Sequence, residues 1–306
     1  MIKPNLDTVA LGPPIERLGV WFFPLYLPGN DLPAIATGDA SGLLVNELET
    51  ASVQELRVTN PTDKPVLVAE GEHFLGGKQN RAVNASVLVG SLCDADLPVS
   101  CLEQGRWGRR RTWSRAEAFA PARIRAAQRR GVARSMQDGS RAGDQCGVWS
   151  EVREMLSHED VESETEAAAD LQQTYRRTAP RSNAVEELVR RGPLPGQSGI
   201  GVARGSRVTA MDLFGAPQLL AAHWGRLIRS HYVESKPPGG RPSADRMFAL
   251  IRHFARARAS EMPGVGLGME QRIADGRVIG QALTLRGAVV HAAFSQTDDR
   301  GGHGHG

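Results

Sequence analysis

Short apolar runs punctuated by turn residues fill the first third of the chain, and they constrain the fold more than any other feature. Runs at 19–27, 43–48, 53–58, 66–72, 86–89 and 97–103 have the length of strands rather than helices. Asn60, Pro61, Thr62 and Asp63 form a turn signal between two of them. Their regular spacing favours neighbouring antiparallel pairs. The middle third changes character. Residues 114–134 are rich in Ala and Arg without a strong apolar stripe, and 149–156, 163–175 and 182–191 read as helical. Strand runs return at 199–202 and 207–214. Two helices follow, one over 217–231 with Leu220, Trp224, Leu227 and Ile228 on one face, the other capped by Ser243 with Met247, Leu250, Ile251 and Phe254 at helical spacing. Residues 265–273, 281–285 and 288–294 close the pattern as strands. Strands, then helices, then strands again predict an α+β fold of largely antiparallel sheets, with a helical middle segment packed on or inserted into them. No repeat of solenoid period occurs.

The 306 residues are 41% hydrophobic, ample for a large core and long enough for two domains of roughly 150 residues. The strand–helix–strand order favours one domain over 1–296, with the helical segment at about 114–191 as the candidate insertion. Residues 297–306, rich in Gly with His303 and His305, read as a disordered tail. No run approaches the ~18 apolar residues of a membrane span, and the N-terminus lacks the apolar core of a secretory signal. The three cysteines, Cys93, Cys101 and Cys146, are too few and odd in number for a disulfide framework, so a reducing cytoplasm is expected.

Charge is unevenly distributed although the net is only +3. Residues 106–134 hold ten arginines and one acid, Glu117, while 151–170 hold eight acids and one base, Arg153. Two helices with complementary faces, or two solvated surfaces, account for this most simply. An anionic ligand or nucleic acid on the basic segment is the alternative.

Two segments concentrate chemistry. The first, at 66–84, reads VLVAEGEHFLGGKQNRAVN. As a strand it would place Val66, Val68, Glu70 and Glu72 on one face, the two carboxylates roughly 7 Å apart, a spacing suited to a metal, a shared proton or an acid/base pair. Gly76 and Gly77 permit a tight turn, and Lys78, Gln79, Asn80 and Arg81 follow as a cluster of donors for a phosphate, a carboxylate or a sugar. The loop is not a Walker A motif, because its register is wrong and the magnesium-binding hydroxyl is missing. The second segment, at 97–107, reads LPVSCLEQGRW. As a strand it places Leu97, Val99, Cys101 and Glu103 on one face. Glu103 is the better acid/base candidate; Cys101 becomes a nucleophile only if a cation lowers its pKa, and otherwise is a buried inert thiol. Arg106 beside Trp107 suits a planar base, a phosphate or a sheet edge. Trp113 near Arg109, Arg110 and Arg111 is a weak nucleic-acid signal. No HExxH, CxxC or HxH spacing occurs within the folded body, so no metal set is assigned, and no cofactor is indicated.

These two blocks resemble a family associated with ADP-ribosylglycohydrolases and rhodanese/phosphatase-like enzymes. The resemblance extends to Asp144-Gln145 with Trp149, to MDLFG at 211–215, LIRSHYV at 227–233, VGLG at 265–268 and VVHAAF at 289–294. It covers roughly 18–294; the Arg-rich stretch after Trp107 and the His/Gly tail depart from it. By resemblance, Glu47, Glu72, Gln79, Asn80, Arg81, Cys101, Glu103, Arg106, Trp107, Asp212, Arg229 and His291 occupy motif positions, and the implied theme is NAD-derived or ADP-ribose-like compounds, with no established reaction.

Three readings follow. The first is an enzyme acting on a phosphorylated or nucleotide-like small molecule, with Glu72, Glu103 and Cys101 as catalytic candidates and Lys78, Gln79, Asn80, Arg81, Arg106 and Trp107 binding the anion. Glu47, Glu70, Asp212, Arg229 and His291 form a second tier. The next is a noncatalytic sensor of the same ligand, and the last a nucleic-acid binder using 106–134. The expected partner is a small anionic ligand, not a membrane.

Overall fold

The computed structural model describes residues 6–48, 52–106, 111–136, 139–234 and 239–297. Trp107, Arg109, Arg110 and the tail beyond Thr297 lie outside these residues. The first part supplies strands β1 (Ala10–Leu11), β2 (Ile15–Arg17), β3 (Val20–Tyr26), β4 (Ala36–Thr37), β5 (Leu44–Asn46), β6 (Glu55–Thr59), β7 (Val66–Val68), β8 (His73–Gly77), β9 (Arg81–Val83), β10 (Val87–Val89), β11 (Asp94–Cys101) and β12 (Arg111–Arg115). Helices α1 (Ala122–Ser135), α2 (Gln145–His158), α3 (Gln173–Arg176) and α4 (Ala179–Arg191) follow. The chain then runs through β13 (Gly199–Arg204), β14 (Arg207–Phe214), α5 (Pro217–Ser230), α6 (Ala244–Arg256), β15 (Ala259–Pro263), β16 (Met269–Ala274), β17 (Val278–Leu285) and β18 (Ala288–Gln296).

The fold is α+β, as the strand–helix–strand order predicts. A nine-stranded sheet runs β1-β3-β13-β14-β18-β17-β16-β15, with β2 also on β3, and joins the two ends of the chain. A six-stranded sheet, β12-β8-β9-β11-β6-β5, and a three-stranded one, β10-β7-β4, are built from the first part alone. The strand pairings described are antiparallel except β4 with β7, which is parallel. Strand alternation makes the large sheet apolar on both faces. On β3, Val20 and Phe22 join the cluster under α5, which contributes Leu220, Trp224, Leu227 and Ile228. Phe23 and Leu25 point the other way, towards Met247, Ile251 and Phe254 of α6. The Ser243 hydroxyl accepts the Arg246 N–H at 3.4 Å and caps α6. No helix among the described residues is long and apolar enough to cross a membrane.

Three sequence expectations are corrected. Residues 66–72 are not one strand: β7 ends at Val68, Glu70 and Gly71 form a turn, and the Glu72 N–H returns to the Ala69 carbonyl at 3.1 Å. Glu70 and Glu72 therefore do not share a strand face. Gly71 has φ +86, and a Cβ there would lie 2.5 Å from Nε of Arg125, so the turn requires glycine for conformation and for close approach. The segment 114–134 starts as strand β12, and its helix begins only at Ala122, after Pro121. Residues 163–175 are not one helix but a 3-10 turn over Ala168–Gln172 running into the single turn of α3.

The basic segment is partly inside the protein. Arg123 pairs with Glu151 of α2 at 2.6 Å, in keeping with complementary helix faces. Arg125 and Arg129, however, are only 2% exposed. With Gln128 and Val132 they form the inward face of α1, at i, i+3, i+4 and i+7.

Candidate functional site

The β8–β9 hairpin, the end of β11 and the following loop build one cluster around Arg81. Gly76 (φ +133) and Gly77 (φ +48) shape the hairpin; a Cβ on Gly77 would collide with the Trp113 indole and the Glu47 carboxylate. Register aligns Phe74 with Arg81 and Arg81 with Cys101, so these three side chains share one face of the six-stranded sheet. Leu97 and Val99 lie in the apolar cluster on that face, and Cys101 continues it, as alternation along β11 predicts. Glu103, two residues past the strand, is held by an isolated bridge to Ala167.

Within the cluster, the Cys101 thiol donates to Oε1 of Gln79 at 3.0 Å and to the Glu103 carbonyl at 3.2 Å. Gln79 Nε2 donates to that same carbonyl at 2.8 Å. The Glu103 carboxylate is saturated. It accepts from Arg106 Nε at 2.8 Å and Nη2 at 2.7 Å, from the Asn80 N–H at 3.0 Å and from the Thr165 hydroxyl at 2.9 Å. Arg106 also donates to the carbonyls of Gly77 and Gly76 and to Asn80 Oδ1, clamping the hairpin. The Lys78 N–H donates to Glu47 Oε1 at 2.9 Å, while Glu47 Oε2 is buried without a partner. From α2, Gln145 brackets Cys101 through both its N–H and its carbonyl.

Arg81, together with Glu47 Oε2, is the exception in this otherwise well-paired cluster. It is 0% exposed, makes no ion pair among the described residues, and has a single long bond, from Nη1 to Gln79 Oε1 at 3.3 Å. Among the described residues its Nε and Nη2 have no partner. Burial lowers its pKa, against the opposing pull of the Glu47 and Glu103 carboxylates. A guanidinium stripped of water and left unpaired costs several kcal/mol, which a folded protein carries where the group has a task.

Protonation states restrict the chemistry. Burial pushes the Cys101 thiol up, beyond what Arg81 takes off, so Cys101 is a neutral thiol. Burial also pushes Glu103 up, but Arg106, Asn80 and Thr165 outweigh it and hold the carboxyl below its ordinary value. Glu103 is thus an ionised carboxylate with its lone pairs taken. His73 is neutral, burial lowering its pKa to about 4 against the pull of Glu103.

Glu72 stands apart from this cluster. Its Oε1 accepts the Ala69 N–H at 2.8 Å and its Oε2 accepts Arg115 Nε at 2.8 Å, with His223 at 3.8 Å. None of those partners contacts Arg81, Cys101 or Glu103 through a hydrogen bond. Burial raises the Glu72 carboxyl, but His223, Arg115 and the Ala69 N–H bring it below its ordinary value.

The second-tier residues divide three ways. Glu47 joins the Arg81 cluster. Arg229 pairs with Glu186 at 2.7 Å between α5 and α4, away from both segments. Glu70, Asp212 and His291 meet in a wholly buried network organised by α1. Arg125 donates to Glu70 Oε2 at 3.0 Å and to Asp212 Oδ2 at 3.0 Å; Arg129 donates to Glu70 Oε2 and Ser295 Oγ, each at 2.7 Å. His291 Nδ1 lies 2.7 Å from Ser86 Oγ, and its Nε2 is 3.6 Å from Asp212 Oδ1. This serine–histidine–aspartate line is not a nucleophilic triad. Ser86 Oγ already accepts the Glu70 N–H at 3.0 Å and Gln281 Nε2 at 2.7 Å, so its lone pairs are occupied and its proton goes to His291. All three side chains are sealed in the core. Burial pushes Asp212 up, and Arg125 and His291 more than reverse this, keeping it well below the carboxylate range. The sequence reading missed Arg125 and Arg129 in this role; their i, i+4 spacing beside Gln128 and Val132 on an Ala-rich helix was the available signal.

Among the described residues no group of three or more His, Cys, Asp or Glu side chains could hold a metal ion. Fold and site together define an α+β protein whose two sheets and α1 enclose a charged network, with a second, unsatisfied cationic centre at the β8–β9 hairpin. Residues 8–295 match the family described as the ARG and Rhodanese-Phosphatase-superfamily-associated Protein domain, and the chain belongs to that family. No curated protein and no solved structure matches it.

Proposed function

We propose that the protein binds a small anionic, phosphate-bearing molecule at Arg81, with NAD-derived or ADP-ribose-like compounds as the favoured class. One observation carries this reading: the buried Arg81 guanidinium, with Nε and Nη2 unpartnered in a cluster where Glu103, Arg106, Gln79 and Asn80 are all satisfied. Those two nitrogens lie on one edge of the guanidinium and match two oxygens of a phosphate. Arg106, Glu103 and Asn80 then act as positioning residues that hold the hairpin. The choice among phosphorylated compounds rests on the family description, which links the chain to ARG and rhodanese-phosphatase proteins. The three cysteines are unpaired, which suits a reducing, cytoplasmic location.

Binding without turnover is the reading the geometry favours, because Glu103 is locked as a carboxylate and Cys101 as a thiol. An enzyme remains the second reading, favoured by the placement of Cys101 on the same strand face as the Arg81 guanidinium, the cation a reactive thiolate needs. Burial of Arg125 and Arg129 withdraws two arginines from any nucleic-acid surface on 106–134 and weighs against that alternative.

The test is calorimetric titration of ADP-ribose, ribose 5-phosphate and inorganic pyrophosphate, with turnover followed in parallel. Arg81→Gln is expected to weaken binding of the phosphorylated ligands by about 10–100-fold, as a charge-assisted pair is worth ~1.5–3 kcal/mol. Undiminished affinity in that variant would remove the assignment. Glu103→Gln and Cys101→Ser separate the two readings: a loss of turnover of about 10²–10⁴-fold with retained affinity establishes an enzyme.

A further inference from the structure

A cavity of about 700 Å³, large enough for a nucleoside, opens against Phe74 and Trp113, which border the Arg81 cluster; Arg81 itself is not in its lining. Its walls combine the Trp113 indole, Phe74 and Leu44 with Asp39, Asn46 and Arg115. The sheet register connects it to Arg81. Arg115 pairs with Phe74, and Phe74 pairs with Arg81, so one cross-strand row on one sheet face runs from the cavity wall to the unpaired guanidinium. Glu47, next to Asn46 in sequence, lies against Gly77 together with Trp113 and contributes to the field at Arg81.

Three features make this cavity suited to an aromatic base and its ribose. Trp113 is a half-buried indole packed against the apolar cluster, and Leu44, 54% exposed, is one of the few large apolar side chains left to solvent. An apolar rim facing an aromatic wall accepts a flat heterocycle. Arg115 is buried, with a side chain 9% exposed; its Nε is taken by Glu72, but its Nη2 has no partner. Asp39 is held in place by Arg226 at 2.5 Å and Arg115 at 3.6 Å, and keeps acceptor capacity for a sugar hydroxyl.

We propose that this cavity is the nucleoside subsite of the anion site: the base of a nucleotide stacks on Trp113, the ribose meets Asp39, and the phosphate reaches Arg81. The inference rests on the anion-binding reading of Arg81 and narrows its ligand from phosphorylated compounds in general to nucleotides. Phe74, aligned in the row between Arg115 and Arg81, is the cavity wall that stands between the two halves.

Titration of the full-length protein with AMP and with ribose 5-phosphate, which has the phosphate and sugar but no base, tests it. AMP is expected to bind about 5–100-fold more tightly, the range for one base stacked on an aromatic side chain. Trp113→Leu should remove that margin and leave ribose 5-phosphate unchanged. Leu44→Glu, at the exposed rim, should weaken AMP selectively and serves if the tryptophan variant folds poorly. Arg81→Gln should weaken both ligands. Equal affinity for the two ligands, or AMP binding indifferent to both Trp113→Leu and Leu44→Glu, overturns the nucleoside subsite and leaves the anion site standing. Binding of both ligands that is indifferent to Arg81→Gln overturns the anion site and, with it, this placement. No binding of either ligand overturns both.

Discussion

Replacing Arg125 by methionine is expected to destabilise the protein by about 3–5 kcal/mol, the cost of removing one partner from a buried ion pair and leaving its carboxylates uncompensated. Arg125 spans Glu70, in the turn after β7, and Asp212, on β14, and none of the three is more than 2% exposed. Arg129 continues to neutralise Glu70, so Asp212 bears most of the loss. The pH dependence has a definite sign. In the wild type, Glu70 and Asp212 have folded-state pKa values below their unfolded ones, so their contribution is complete above the ordinary carboxylate range and is lost as pH falls beneath it. In the variant, burial without the guanidinium drives Asp212 upward, so its penalty grows as pH rises from about 4 towards neutrality. The stability gap between the two proteins should therefore narrow on acidification. Burial also lowers His73 and His223 to about 4, but Arg125 does not act on either, so they are common to both proteins and cancel in the difference. Urea denaturation at pH 7 and pH 4.5 measures the gap; a deficit below about 1 kcal/mol, or one that widens in acid, would show that α1 is not held by this network.

Arg81→Met is expected to move stability the other way, upward by about 1–4 kcal/mol, while abolishing ligand binding. Methionine fills much of the same volume, needs no counter-charge and removes an unpaired guanidinium from the interior. The Cys101 thiol still donates to Gln79 Oε1, so the change leaves no new bare acceptor there. Glu47 and Glu103 lose a neighbouring positive charge, but Glu103 keeps its two bonds from Arg106. Thermal unfolding should rise by several degrees in the absence of ligand. With ligand added, the wild type should gain stability by mass action and the variant should not. A variant less stable than the wild type would show that Arg81 is held by structural contacts and not retained for a ligand. Arg125 has four carboxylate oxygens within reach, and Arg81 has almost no acceptor.

Much of the fold was legible. The run at 207–214 is β14 as read, 217–231 is α5 to within a residue, and Ser243 caps α6. These elements carry their own periodicity, punctuation and caps, and local rules describe them well. The 66–72 run was misread because three apolar residues followed by acids look like a strand rising to a rim. The glycine at 71 was visible, but the guanidinium it makes room for comes from a residue 54 positions away. The helix at 163–175 was overextended because polar residues with a few alanines fit a helix as readily as a 3-10 turn.

The site shows the same division. Alternation along β11 placed Cys101 beyond Leu97 and Val99 on one face, and the donor-rich loop after Gly77 is where the unpaired guanidinium sits. Those assignments needed only the period of a strand and the hydrogen-bonding inventory of each side chain. Which charges are compensated is not a property of residue type, and the tertiary structure alone decided it. Arg125 and Arg129 looked solvated because their acids, Glu70 in the turn after β7 and Asp212 on β14, lie far away in sequence. Glu72 looked available but is bound to Arg115, Ala69 and His223. Arg81 looked like one donor among four until pairing across β8, β9 and β11 buried it beside partners already engaged elsewhere. The amino-acid order determines which groups a segment can present and on which side. Long-range packing sets the dielectric around each group and the partners within reach, and those two quantities separate a structural charge from one kept for a ligand.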